Sequence, residues 1–260
     1  MLTRIISGAA LVVITAAVIF FTVFFELPIV FTVFLAFLGA MASSEILSGT
    51  GIIKNKAVII AAAVYSAAVQ FLYTYAPKYI FTLSLIYGVF ALLFCVKDKL
   101  SYKRILLAVL APVVLSFAFS CIGALLSLGL VNLLLLLNFS SVCDCGAYFV
   151  GVTVGRHKLC PKISPKKTVE GAIGGIVLSM LVTLIIAKLF ALGNTLILVV
   201  ITPILCVAGI CGDLLASVIK RRVGIKDYGK IIPGHGGIMD RFDSILLIAP
   251  IYVILYSFVG

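Results

Sequence analysis

Long apolar segments separated by short polar breaks run along the whole chain. Because a membrane-spanning helix needs roughly 20 apolar residues, the pattern predicts an all-α, polytopic integral membrane protein with about nine transmembrane helices. The last segment is short, and we expect its helix to start earlier, near Ile238. The predicted spans are 5–25, 28–48, 57–75, 79–96, 105–128, 131–154, 169–192, 196–219 and 244–259.

Composition supports the membrane assignment. Hydrophobic residues make up 63% of the chain and charged residues only 11%, which excludes an ordinary soluble domain. The first apolar segment is longer than the apolar region of a usual signal peptide, and no clear cleavage site follows it. We therefore expect it to be a retained span.

The positive charges define an orientation. The chain has 20 Lys and Arg residues. All but two of them lie on one side of the predicted membrane, and only Lys78 and Lys188 lie on the other. The positive-inside rule then places the N-terminus in the cytoplasm and the C-terminus outside. The net charge of +11 is thus explained by topology and an anionic inner leaflet, and no nucleic-acid partner is predicted.

The two halves of the chain differ in chemistry. Residues 1–128 form an N-terminal part of about five spans, and residues 129–260 form a C-terminal part of about four spans, with polar cytoplasmic loops. Glu45 is the only acid within a span of the first part. An intramembrane carboxylate is a functional candidate by default, but for Glu45 we favour a structural hydrogen bond or a proton-bearing packing residue.

The stretch SVIKRRVGIKDYGKIIPGHGGIMDRFD, residues 217–243, is the main polar segment. Basic residues suit phosphate oxygens, glycines allow a ligand to approach the backbone, and carboxylates suit a hard divalent cation. Their combination indicates a nucleotide or phosphoryl site at a membrane face. A loop made basic by topology alone would explain the Lys and Arg residues but not GHGG followed by DRFD. Soluble nucleotide-binding motifs are absent from the sequence.

A second polar region begins inside the sixth predicted span. Helical spacing places Asp144, Tyr148, Gly151 and Gly155 on one face. The segment 164–168 then leads into the seventh span, where Thr168 is a candidate N-cap. Lys166 and Lys167 would lie at a helix N-terminus, where phosphate binds readily. Gly171 and Gly175 form a GxxxG pair, for which we predict close helix packing.

The eighth predicted span carries another intramembrane acid, Asp213. Ser217 and Lys220 follow it at i+4 and i+7, on one stripe of the helix. Ala208, Gly212 and Ala216 make a ridge of small residues, which predicts a tightly packed partner. Two interpretations stay open: a structural Asp213–Lys220 ion pair, and the favoured one, a metal bound by Asp213 and Asp240.

Segment 217–243 resembles the signature of the phosphatidate cytidylyltransferase family, also called CDP-diacylglycerol synthases. The upstream segments DCGAY, GRHKL and ISPKKT resemble the family too, so the resemblance covers residues 144–243. Cys145, Val152 and Val169 depart from residues common in the family, which affects fine contacts more than chemistry. The matching signature positions are Ser217, Lys220, Arg221, Lys226, Asp227, Gly229, Pro233, His235, Gly236, Gly237, Asp240, Arg241 and Asp243.

This resemblance implies the reaction of CTP with phosphatidic acid to give CDP-diacylglycerol and pyrophosphate, for phospholipid biosynthesis. It implies Mg²⁺, with a second cation left open, a multi-pass protein of the cell (inner) membrane with a cytoplasmic active site, and a homodimer as an open option. The implied metal ligands are Asp213, Asp240 and Asp144. The implied catalytic residues are Lys166, Lys167, Lys220, Arg221, His235 and Arg241. The implied substrate-binding residues are Ser217, Lys226, Asp227, Gly236, Gly237, Tyr148 and Ser164.

Two other functions are alternatives at this point. A cation-coupled transporter would need functional charged residues near the middle of the membrane in both halves of the chain. The candidate acids Asp144, Asp213 and Asp240 instead cluster at the predicted cytoplasmic side. A CTP-dependent polyprenol or phytol kinase would form a phospholipid in place of a CDP-lipid, and the product distinguishes the two.

Overall fold

The structure, a computed structural model, describes residues 2–51, 53–193, 195–229, 231–234 and 236–258, with side chains from residue 6 onward. This part of the chain is nearly all helical. A 3₁₀ turn at Pro77–Tyr79 precedes α4, and a π-helical turn at Asn138–Val142 joins α6 to α7. The α-helices are α1 (Leu2–Phe24), α2 (Pro28–Gly49), α3 (Lys56–Tyr75), α4 (Ile80–Lys97), α5 (Tyr102–Ser127), α6 (Leu130–Leu137), α7 (Cys143–Thr153), α8 (Val169–Leu189), α9 (Thr195–Arg222), α10 (Met239–Phe242) and α11 (Ile245–Ser257).

Eight helical segments in the described ranges are long and apolar enough to cross a membrane. They coincide with the first eight predicted spans to within a few residues. The ninth predicted span corresponds to α11, which has 13 residues. It does not continue back to Ile238 as one helix, because a turn at Asp243 and Ser244 separates it from α10.

A β-hairpin interrupts the otherwise helical chain between α7 and α8, where the sequence predicted only a connecting segment. Strand β1 (Lys158–Cys160) pairs antiparallel with β2 (Ser164–Thr168), in a register that aligns Lys158 with Thr168. Helix α7 also ends at Thr153. Gly155 therefore lies outside the helix, and the prediction that it shares a helix face with Asp144 is wrong.

The chain divides into two compact units, which are described separately. The first comprises Met1–Gly123 and Val223–Arg241, and the second comprises Ala124–Arg222 and Phe242–Gly260. The functional division proposed at residue 128 stays a prediction. The segment 223–241, called the signature loop below, thus groups with the N-terminal helices.

In the first unit, α2 packs against α1 and α3, and α3 packs against α4. Buried polar side chains of these helices are paired. The hydroxyl groups of Ser43 and Ser66 are 2.6 Å apart, and Gln70 donates to the carbonyl of Ser116 at 3.0 Å. Such pairing is needed inside a bilayer, where water does not satisfy polar groups.

In the second unit, small residues let helices approach closely, as the sequence predicted. A Cβ atom on Gly171 would lie 2.5 Å from the carbonyl oxygen of Ala147 on α7. A Cβ atom on Gly175 would overlap the carbonyl oxygen of Cys143. On α9, a Cβ atom on Gly212 would lie 2.6 Å from the carbonyl oxygen of Asp243, just before α11. The GxxxG pair and the small-residue ridge are therefore packing features.

Candidate active site

The second unit contains a cluster of charged side chains, Asp144, Lys167 and Asp213, called the charge cluster here. The Lys167 Nζ atom lies 2.6 Å from Asp213 Oδ2, and the two side chains are 25% and 29% exposed. Asp144 on α7 is close enough to interact electrostatically with both. The structure thus brings together three residues that the sequence predicted as site residues in separate segments.

Strand β2 determines how the two adjacent lysines are presented. On this strand Lys166 is exposed, whereas Lys167 is half-buried and reaches Asp213. Thr168 ends the strand and caps α8, because its side chain accepts a hydrogen bond from the Gly171 N–H at 3.1 Å. The predicted N-cap is confirmed, although the lysines lie on a strand that precedes it.

Glu170, in the first turn of α8, hydrogen-bonds to the segment that leads into the hairpin. Its carboxylate accepts hydrogen bonds from the backbone N–H groups of Arg156 and His157, each at 3.1 Å. The His157 ring nitrogen Nδ1 also lies 2.5 Å from Glu170 Oε1. These contacts fix the segment before β1 relative to α8, and hence the strand that carries Lys167.

Asp213 is held on α9 by a helix-internal contact as well as by Lys167. Ser217, one turn later, donates a hydrogen bond to Asp213 Oδ1 at 3.4 Å. The structural interpretation of the sequence paired Asp213 with Lys220. Among the described residues, Lys167 forms an ion pair with Asp213, a partner that the sequence did not predict. Lys220 is buried, with 9% of its surface exposed.

The charge cluster has a donor set that fits Mg²⁺. This ion is commonly bound by one or two carboxylates together with water and substrate phosphates, and Asp144 with Asp213 supplies two carboxylates. Among the residues that the structure describes, neither unit gathers three His, Cys, Asp or Glu side chains in position to hold a metal. Asp240, which the sequence paired with Asp213 as a metal ligand, belongs to the other unit, and its metal role stays a prediction.

In the first unit, the signature loop is folded around the carboxylate of Asp240. Asp240 Oδ2 accepts hydrogen bonds from the backbone N–H groups of Tyr228 at 2.8 Å and Gly237 at 3.0 Å. The Ile232 N–H bonds to the Gly236 carbonyl at 2.9 Å. Gly236 has a φ of 87°, which favours glycine. Asp240 is buried, with 9% of its surface exposed. Its Oδ2 atom therefore stabilises the fold of the loop through these two hydrogen bonds.

A second carboxylate, Glu45 of α2, also contacts the signature loop. It accepts hydrogen bonds from the backbone N–H groups of Ile238 at 3.0 Å and Met239 at 2.9 Å. The hydrogen-bonding role predicted for Glu45 is confirmed, but the sequence did not reveal its partner. The available signal was that Glu45, the only acid within a predicted span of residues 1–128, lies at the end of that span that is predicted to be cytoplasmic, as is the loop.

The other predicted site residues differ in exposure. Lys226, Asp227, Arg221, Arg241 and Tyr148 are exposed, whereas Ser164 and Ser217 are half-buried. Exposed basic side chains suit phosphate contacts. His235 lies outside the described residues.

Part of the chain is similar in sequence to known proteins. The chain is 49% identical over 113 residues to a phosphatidate cytidylyltransferase of Staphylococcus saprophyticus. This aligned stretch covers 43% of the chain and 44% of the relative. The Staphylococcus aureus (strain COL) phosphatidate cytidylyltransferase is 50% identical over 115 residues, with the same coverage. The Escherichia coli (strain K12) uncharacterized protein YnbB is 42% identical over 124 residues, 48% of this chain and 42% of the relative. The matched region thus spans less than half the length of these relatives.

The family-level match is more extensive. The sequence model of the cytidylyltransferase family matches residues 3–259, which include both helical units, the charge cluster and the signature loop. Because this match extends over almost the whole sequence, the chain belongs to the cytidylyltransferase family.

Proposed function

We propose that this chain is a phosphatidate cytidylyltransferase that converts CTP and phosphatidic acid to CDP-diacylglycerol and pyrophosphate. The observation that carries the proposal is the charge cluster, in which a lysine and two carboxylates from three separate elements meet. Membership of the cytidylyltransferase family and the names of the staphylococcal relatives support this choice of reaction.

The reaction needs no nucleophile from the protein. A phosphate oxygen of phosphatidic acid attacks the α-phosphorus of CTP, a new P–O bond forms, and the bond to the β-phosphate breaks as pyrophosphate leaves. The phosphate monoester is already anionic at neutral pH. The protein therefore has to position two polyanions and to stabilise charge on the transferred group and on pyrophosphate.

We assign these tasks to the predicted residues. Lys167 balances Asp213 without substrate and would share its charge with phosphate oxygens when CTP binds. Asp213 and Asp144 would hold Mg²⁺, which supplies charge neutralisation for the phosphates when bound. Asp240 is proposed as a further ligand. The phosphate contacts are assigned to Lys166, Lys220, Arg221 and Arg241, and the nucleotide contacts to His235, Gly236, Gly237, Lys226 and Asp227.

The membrane arrangement is part of the proposal. We propose nine crossings, with α11 as the last. Dropping or adding one internal span would place some of the basic loops on the opposite side, and the apolar helix α11 follows the last basic residue, Arg241. The N-terminus and the active site would face the cytoplasm, where CTP is available, and the C-terminus would lie outside the cell (inner) membrane. A homodimer is compatible with this chemistry but is not required by it.

Product analysis tests the proposal. Purified protein in lipid nanodiscs should form CDP-diacylglycerol only when CTP or dCTP, phosphatidic acid and a divalent cation are all present. ATP should not replace CTP, because the family resemblance implies a cytidine nucleotide. A protein that moves a solute across the membrane but forms no CDP-lipid would contradict the proposal and favour a transporter.

A further inference from the structure

Glu45 is one of the most enclosed charged side chains in the first unit, with 5% of its surface exposed. Each of its two carboxylate oxygens accepts one backbone hydrogen bond, Oε1 from Ile238 and Oε2 from Met239. These N–H groups begin the α10 turn. The first N–H groups of a helix have no acceptor within that helix, so Glu45 satisfies donors that would otherwise be buried without partners.

Two glycines of the signature loop pack directly against the Glu45 carboxylate. A Cβ atom on Gly229 would overlap Glu45 Oε1, and a Cβ atom on Gly237 would overlap Glu45 Oε2. Neither glycine has a positive φ, so the backbone conformation alone does not demand glycine there. The absence of a side chain at these two positions is explained by the space that Glu45 occupies.

The same end of α2 meets the loop at a second point. A Cβ atom on Gly49, one helical turn after Glu45, would overlap the carbonyl oxygen of Tyr228. Tyr228 is buried and donates its own N–H to Asp240. The C-terminal end of α2 therefore contacts both ends of the folded part of the loop, near residue 228 and near residue 238.

We propose that Glu45 is a positioning residue for the reaction, acting through the signature loop. Its carboxylate sets where α10 begins, and α10 carries Asp240 and Arg241, which the proposed function assigns to metal and phosphate. The effect on turnover rests on that proposed function, whereas the effect on the loop itself does not. A residue of the chemically plain N-terminal part thereby determines the geometry of the signature.

An amide in place of the carboxylate gives a sharp test. Glutamine has nearly the same shape as glutamate but only one acceptor oxygen, so Glu45→Gln directs an NH₂ donor at one of the two backbone N–H donors. A buried donor without an acceptor is unfavourable. We expect Glu45→Gln to lower kcat about tenfold or more while leaving the KM for phosphatidic acid unchanged. The matched control is Glu26→Gln, the same change at an exposed residue before α2, which should leave kcat unchanged.

A measurement that is independent of activity separates this inference from the proposed function. Hydrogen exchange of the full-length protein in nanodiscs, read in peptides containing Ile238 and Met239, should be faster in Glu45→Gln than in wild type. Peptides of α8 should exchange alike in both. Unchanged exchange at 238–239 would overturn the positioning role, even if wild type makes CDP-diacylglycerol. Faster exchange in a protein without cytidylyl transfer would retain the loop contact and reject the function.

A rescue experiment tests the fit to glycine. Gly229→Ala should lower kcat about tenfold in the wild-type background, because the new methyl group displaces the Glu45 carboxylate from its N–H partners. In the Glu45→Asp background the side chain is one methylene shorter and leaves room for the methyl group. There, Gly229→Ala should lower kcat by a smaller factor. Equal fold losses in both backgrounds would show that Gly229 serves something other than Glu45, and would contradict the inference.

Discussion

At the scale of single residues, the pairing of Asp213 with Lys167 determines what a substitution of Asp213 should do. Both side chains are about three-quarters buried, and the Lys167 Nζ atom itself is enclosed, so the pair is held away from water in the folded protein. A lysine that loses this carboxylate can still turn its ammonium group towards water through its flexible stem. The fold should therefore tolerate the loss of the pair better than it would tolerate a fully buried unpaired charge.

Asp213→Asn tests the charge cluster. The substitution keeps the volume and packing of the side chain but removes one carboxylate from a set that fits Mg²⁺. We expect turnover to fall by roughly two decades or more, with little change in expression or thermal stability. Specific activity and its Mg²⁺ dependence should be measured on folded, purified protein.

The control for this variant is Asp98→Asn, which makes the same change at an exposed carboxylate in the loop after α4. It should retain activity, since the Asn55 side-chain amide that bonds to Asp98 at 2.7 Å can still donate to an amide oxygen. Near-normal turnover of folded Asp213→Asn would remove the metal assignment. Poor folding with full activity per folded molecule would assign Asp213 a purely structural role.

The sequence predicted Asp213 as a site residue but did not predict its partner Lys167. Helical spacing relates Asp213 to Ser217 and Lys220 because they lie on one helix, and the Ser217 contact is present. Lys167 reaches Asp213 from a different element, and no periodicity encodes that contact. Glu45 and its partners Ile238 and Met239 pose the same difficulty, because they lie at opposite ends of the sequence.

At the scale of elements, hydropathy predicted the long helices well. A bilayer requires backbone polar groups to be satisfied within the segment, so apolar length largely determines where α1 to α9 form. The β-hairpin was missed because β1 has three residues and β2 includes Pro165 and two lysines. Neither strand shows the alternation that predicts a strand from sequence.

The interruptions within the helices were also difficult to predict. The π-helical turn at Asn138–Val142 lies inside a predicted span, and its polar residues Asn138, Ser140 and Ser141 do not by themselves indicate a change of helix type. The turn at Asp243 and Ser244 does carry polar residues, but Asp243 was interpreted as part of the signature. Local backbone geometry of this kind depends on packing with neighbouring helices, which the order of residues does not reveal.

At the scale of the whole molecule, the charge distribution predicts the orientation in the membrane. Ser101→Cys lies in a predicted cytoplasmic loop and is exposed, whereas Gly193→Cys lies in a predicted external loop where a side chain meets no neighbour within 4 Å. A membrane-impermeant thiol reagent should label the Gly193 variant in intact cells and the Ser101 variant only after permeabilisation. Wild-type protein gives the background from native cysteines, and the reverse pattern would overturn the orientation.

The central claim, cytidylyl transfer to phosphatidic acid, is tested most directly by following the two ends of the CTP triphosphate. Purified protein is given phosphatidic acid, Mg²⁺ and CTP labelled with ³²P at either the α- or the γ-phosphate. The account predicts that the α label enters the lipid fraction and that the γ label is released as pyrophosphate. Entry of the γ label into lipid, with release of CDP, would identify a lipid kinase and contradict the account.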